Sequence, residues 1–149
     1  MWPLPVSGTP AASSPRSAVL GTAPTAIRQW LPSTVFTAPE FATVGVSQAQ
    51  VDAGEVAATA VTMKLATNPR AKMQGIHAGF VKLFASPGSG RVLGGVVVAP
   101  RASELILPVS LAVQNALTVD QLAHTFTIYP SLSGSITEAA RQLHLAEQR

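Results

Sequence analysis

Residues 79–99 read GFVKLFASPGSGRVLGGVVVA, two apolar runs joined by Ser86-Pro87-Gly88-Ser89-Gly90. Proline and glycine together supply the backbone angles of a tight reversal, so the stretch reads as a β-hairpin. Side chains alternate between faces along a strand, which sends Phe80 and Phe84 to one side and Val81 and Leu83 to the other. Apolar residues on both sides predict two central strands of a sheet, with helices over one face and another layer opposite. Gly94-Gly95 inside the second run marks a bulge or a close backbone approach, because glycine otherwise weakens a strand.

Working upstream, short β-branched and aromatic runs at residues 34–37, 42–46 and 56–65 predict further strands. Residues 47–53 suit a helical turn, ended by Gly54 in the left-handed position past a helix C-terminus. Downstream of Pro100 the pattern becomes helical. Leu105, Ile106, Leu107, Val109, Leu111 and Val113 are apolar nearly all round, which predicts a helix buried in the core or against a partner and bent at Pro108. A second helix starts at Thr118, with Gln121 completing a capping box, and is expected to bury Val119, Leu122, Ala123 and Phe126.

The last helix carries one apolar stripe, Ile136, Ala139, Ala140 and Leu143. Ser135 with Glu138 has the form of a capping box, and Ser131 is a rival cap one turn earlier. Either choice puts Tyr129 and Pro130 just ahead of a helix N-terminus, whose free amides suit an anionic or carbonyl-bearing ligand. Strands first and helices last give an α+β class: an antiparallel β-sheet with C-terminal helices packed on it.

Composition sets the outer limits. A length of 149 residues fits one folded domain, and the absence of cysteine removes disulfides, thiolate metal sites and thiol redox chemistry from this chain. Residues 1–32 hold six of the twelve prolines without helical or strand periodicity, and are expected to form a disordered Pro/Ser/Ala-rich tail before a folded unit at 33–149. The net charge of +3 owes two charges to Arg16 and Arg28 in that tail. The remainder has eight basic against seven acidic residues, scattered singly, so nucleic acid is not an expected partner. No run approaches the ~18 apolar residues of a membrane span, and residues 1–5 lack the charged start and apolar core of a signal peptide. A cytoplasmic location is the expectation.

Few residues invite chemistry on spacing alone. His77, His124 and His144 lack the mutual spacing of a metal face, so no metal site is expected. Ser131, Ser133 and Ser135 sit in no nucleophile elbow and read as caps. Arg70 and Lys72 read as solvated charges in a turn. Gly88-Ser89-Gly90 joins two strands without opening a helix, which makes it a turn and not a phosphate loop.

Four segments taken in order nevertheless resemble one family. They are Val35-Phe36-Thr37-Ala38-Pro39-Glu40 with Val44-Gly45; Asn68-Pro69-Arg70-Ala71 with Gly75; residues 79–83 through Leu93-Gly94-Gly95 and Pro100 to Ser103-Glu104-Leu105-Ile106; and Tyr129-Pro130-Ser131-Leu132-Ser133. In register over residues 33–146, they resemble the C-terminal dimerisation domain of the FAD-dependent pyridine nucleotide-disulfide oxidoreductases. That family includes dihydrolipoamide dehydrogenase, glutathione reductase, mercuric reductase and flavoprotein quinone reductases.

The resemblance implies a homodimer, or pairing with an intact reductase subunit, through an interface that includes Leu107, Leu111, Val113 and Leu132. It implies FAD and NAD(P)H as cofactors, neither held by this chain alone, with the backbone of Tyr129 and Pro130 against the partner's flavin. Most members carry a histidine before the proline and a glutamate four residues after it, an acid-base pair for a dithiol substrate. Tyr129 and Gly134 stand at those places. A phenol with a pKa of about 10 is a poor base at neutral pH, which points to the branch that passes electrons from flavin to a quinone. The family's FAD-binding and nicotinamide-binding domains, with their glycine-rich loops, have no counterpart in this sequence. The resemblance therefore implies a truncated or split reductase, inactive alone. The alternatives are a free-standing protein-interaction module and a partner that completes a reductase site in trans.

Overall fold

The computed structural model describes residues 31–147. The tail predicted at residues 1–32 thus lies, but for its last two residues, outside the described residues.

Five strands form one antiparallel sheet: β1 (Ser33–Val35), β2 (Glu40–Gly45), β3 (Thr59–Lys64), β4 (Phe80–Ala85) and β5 (Val92–Ala99), in the order β1-β2-β5-β4-β3. The predicted hairpin is β4–β5, and it occupies the centre. Pairing runs Phe80↔Val98 to Phe84↔Gly94, then shifts to Ala85↔Val92, so Leu93 is the extra residue of a bulge. Both meanings of the double glycine are realised. A Cβ on Gly94 would stand 2.5 Å from the Val46 nitrogen, and one on Gly95 would stand 3.0 Å from Val109 Cγ1.

One face of the sheet carries the core. Ala42, Val44, Val81, Leu83, Ala85, Val97 and Ala99 are buried there, with Val61 and Met63 of β3 packed beside them. The opposite face bears Phe80, Lys82, Phe84, Val96 and Val98. Of these only Phe84 is fully buried; Lys82 lies 5.4 Å from its ring centroid and donates to Gln48. Gln48 begins α1 (Gln48–Asp52), which a Ser47–Gln50 capping box opens and Gly54, at φ +72°, follows. Among the described residues the second layer expected on this face is reduced to that Lys82–Gln48 contact, since α1 buries none of its own residues, and Phe41 is 39% exposed.

Between β3 and β4 lies α2 (Pro69–Met73), with Pro69 in its first turn. The long apolar helix predicted after Pro100 is instead two pieces, α3 (Ala102–Leu105) and α4 (Leu107–Gln114). Pro108 sits in the first turn of α4, where its missing N–H costs nothing, so it starts a helix and does not bend one. Burial is also one-sided: Val109 and Ala112 face the sheet, whereas Leu107 and Leu111 are 59% and 48% exposed. An all-apolar run carries no information on which face is inside, and the structure supplies it.

The Glu40 carboxylate caps α3, accepting from the Ser103 amide at 3.0 Å and its hydroxyl at 2.7 Å. These bonds, with Arg101 nearby, hold its pKa below the ordinary value. The Thr118–Gln121 capping box forms as predicted and opens α5 (Val119–Ala123). Phe126, expected in the core with this helix, lies past its end and is fully exposed, because the helical stripe stops before reaching it. The final helix, α6 (Gly134–Glu147), buries Ile136, Ala139, Ala140 and Leu143 against β3 and β4.

Candidate functional site

The segment entering α6 is built by short hydrogen bonds within itself. Ser131 Oγ accepts from the Gly134 amide at 3.0 Å and lies 3.1 Å from Ser133 Oγ. The Ser135 and Ile136 amides donate to the Leu132 and Ser133 carbonyls at 3.0 and 2.9 Å. Ser131 is therefore the cap, and the Ser135–Glu138 box is not formed. Ser135 is fully buried and turned toward α2, while Glu138 pairs with Arg141 on the exposed side.

Asn68 ties this segment to the rest of the fold. It is 4% exposed, and its carbonyl oxygen caps α2 by accepting from the Arg70 and Ala71 amides at 2.8 and 3.2 Å. Its amide nitrogen donates to the Ser131 carbonyl at 2.9 Å and to Ser135 Oγ at 2.7 Å. The sequence signal, an asparagine directly before a proline at a helix start, indicates the cap but not the contact more than sixty residues away.

Ahead of the cap the chain turns outward. Phe126, Ile128 and Tyr129 are 103%, 83% and 81% exposed, and the Tyr129–Pro130 peptide bond is cis. Tyr129 and Gly134 border a cavity of about 490 Å³, lined also by Met63, Asn68, Thr137 and Arg141. Glycine at 134 is not forced by space, since a Cβ there would meet only Ser131 Oγ at 3.3 Å and Thr127 Oγ1 at 4.0 Å.

A dinucleotide fits poorly on these residues taken alone. The amide at the start of α6 is already satisfied by Ser131, and Gly88 and Gly90 lie in the β4–β5 turn, not at a strand-to-helix junction.

Of the other candidates, Leu132 and Val113 are half-buried and packed on this chain's own core, while Leu107 and Leu111 point outward. Arg70 is half-buried in α2 and Lys72 is exposed. His124 and His144, read separately in the sequence, are brought together: their Nδ1 atoms lie 3.3 and 3.4 Å from Asp120 Oδ1, with ring centroids 6.1 Å apart. His77 is exposed. Among the described residues no helix is long and apolar enough to cross a membrane.

The fold agrees with known proteins. Residues 31–140 match the family model described as the dimerisation domain of the pyridine nucleotide-disulphide oxidoreductases. An NAD(P)H dehydrogenase (quinone) of Mycobacterium tuberculosis is 61% identical over 111 residues, which are 74% of this chain and 22% of that protein. A mercuric reductase of Acidithiobacillus ferrooxidans is 40% identical over the same length, 20% of its own. The crystal structure of LpdA from Mycobacterium tuberculosis superposes with a TM-score of 0.81 at 56% identity, covering 85% of this chain and 28% of that one. The chain thus spans about a fifth of the length of the curated relatives it matches. On the family match and on the antiparallel sheet with its helices, this chain belongs to the pyridine nucleotide-disulphide oxidoreductase family and carries its dimerisation domain.

Proposed function

We propose that this chain is the subunit-joining part of an NAD(P)H-dependent flavoprotein of the quinone-reducing branch. One observation carries the reading: Tyr129 and Gly134 stand at the two places where a dithiol-reducing member needs a base and its carboxylate. Neither side chain can do that work, although a Cβ at Gly134 would meet no backbone. The 61% identity to a protein named for quinone reduction supports the same branch. In this reading the outward Leu107 and Leu111 of α4 and the projecting Phe126, Ile128 and Tyr129 are covered by a second subunit. That subunit is another copy, or an intact reductase chain carrying the same domain. The Tyr129-Pro130 backbone then lies against the second subunit's flavin, and Tyr129 presents an aromatic surface to the acceptor. NAD(P)H serves as the electron donor at residues other than those described.

Two experiments test this. Residues 31–149 are grafted in place of the matching segment of the Mycobacterium tuberculosis quinone dehydrogenase, and the chimera is assayed with a quinone and with a dithiol substrate. Retained quinone reduction is expected, with no gain of dithiol chemistry; a dimeric, FAD-loaded chimera unable to reduce quinone refutes the reading. The chain by itself, mixed with FAD and desalted, is expected to be colourless. A stoichiometric yellow complex overturns the claim that the flavin belongs to a partner.

A further inference from the structure

We propose that Asn68 is the positioning residue of the Tyr129–Pro130 segment, acting through the Ser131 carbonyl and the Ser135 hydroxyl. This deepens the reading above by naming the group that sets the geometry of the projecting segment.

A primary amide has two donor hydrogens and two acceptor lone pairs. Asn68 uses all four: two helix amides on its oxygen, and a carbonyl and a hydroxyl on its nitrogen. The group is 4% exposed, so water does not replace a lost partner without rearrangement. The two halves of the amide serve different elements. The oxygen closes the start of α2, and the nitrogen clamps residue 131, the second after Tyr129, together with residue 135 in the first turn of α6. Tyr129 itself is 81% exposed, so its placement depends on how the residues after it are anchored. The Ser131 carbonyl is the nearest anchor to it that reaches another element. Fixing that carbonyl and Ser135 fixes the direction in which residues 126–129 leave the surface, and with it the cavity they border.

No other common side chain fills all four roles from this position. The substitution Asn68→Asp keeps the α2 cap, because aspartate is as good an N-cap as asparagine, but it turns two donors into an acceptor facing a carbonyl. The prediction is therefore asymmetric: α2 survives the change and the Tyr129 segment moves.

Tyr129 is the only tyrosine in the chain, so incorporation of 3-fluorotyrosine gives a single ¹⁹F resonance that reports on the segment without any partner or flavin. In Asn68→Ala the resonance is expected to move by more than its linewidth or to split. In Asn68→Asp, compared with the parent at each pH, it is expected to move at about pH 7, where the carboxylate is ionised, and to return toward the parent position as pH falls below about 4, where a protonated carboxyl can donate again. Asn68→Ala shows no such return. Ser135→Ala, which removes one acceptor and leaves the α2 cap intact, gives a smaller displacement and serves if Asn68→Ala does not fold. An unmoved resonance in the folded variants, or the same pH response in Asn68→Ala and Asn68→Asp, overturns the assignment. Because the readout needs neither dimer nor flavin, it stands or falls separately from the proposed function.

Discussion

Gly94→Ala tests the central crossing of the sheet. The added methyl would lie 2.5 Å from the Val46 nitrogen and 2.6 Å from the Val44 oxygen. Contact between such atoms needs roughly 3.5 Å, so β2 and β5 must separate by about 1 Å where Gly45 pairs with Gly94. Both obstructing atoms are backbone, and no rotamer change relieves them. Overpacking of this kind costs about 1–3 kcal/mol. Moving β2 also stretches the bond from the Val46 amide to the Leu93 carbonyl, now 3.1 Å, which adds about 1 kcal/mol. A loss of about 3 kcal/mol is expected, equivalent to about 10 °C in Tm for a domain of this size. Urea unfolding followed by far-UV circular dichroism measures it. Gly88→Ala is the control: its φ of +76° disfavours a side chain by about 1–2 kcal/mol, yet nothing lies within 4 Å. If Gly94→Ala costs no more than Gly88→Ala, the close approach does not govern stability and the reasoning fails.

Three further outcomes are expected. Leu107→Asp with Leu111→Asp should turn a dimeric species into a monomer on gel filtration with little change in Tm, since both side chains are outward; Val113→Asp, packed on the core, should lower Tm instead. Ser131→Ala should cost about 1 kcal/mol in urea unfolding by removing the α6 cap, and a change under about 0.3 kcal/mol would refute the capping role of Ser131. Glu40 is held below its ordinary 4.5 by the Ser103 bonds, so its contribution is fully present above pH 4.5 and is lost as pH falls through the lower folded value. Glu40→Gln should therefore flatten the acid side of the stability profile, and an unchanged profile would count against the cap.

The parts of the fold that are legible in the sequence are those specified locally. The β4–β5 turn residues, the Thr118–Gln121 box and the spacing of Ile136, Ala139, Ala140 and Leu143 each act within a few residues, and each is found in place. Sequence and structure part where a distant contact or a missing face decides the matter. Ser135 has the neighbours of a cap, but Asn68, in another element, claims its hydroxyl. The run from Leu105 to Val113 is apolar on every side, so periodicity shows neither its break before Pro108 nor its outward leucines. Phe126 fits the helical spacing of α5, yet that helix ends three residues before it. At the candidate site, Tyr129 and Gly134 are legible only through the family pattern, whereas Asn68 is visible as a local cap and its longer reach is not.

The place of β5 in the middle of the sheet has a consequence for how the chain is made. Glu40 pairs with Ala99, so β2 leaves the ribosome about 60 residues before the strand it joins. At about 5–20 residues per second that is a wait of about 3–12 s, during which Ala42 and Val44, both buried in the finished sheet, have no β5 to pair with. The hairpin of β4 and β5 can zip as soon as it emerges, and the β1–β2 ribbon must then find its outer edge across a long loop. The amino-terminal ribbon is therefore the last part of the sheet to be secured, and the part that a ribosome-bound holdase would have most reason to shield.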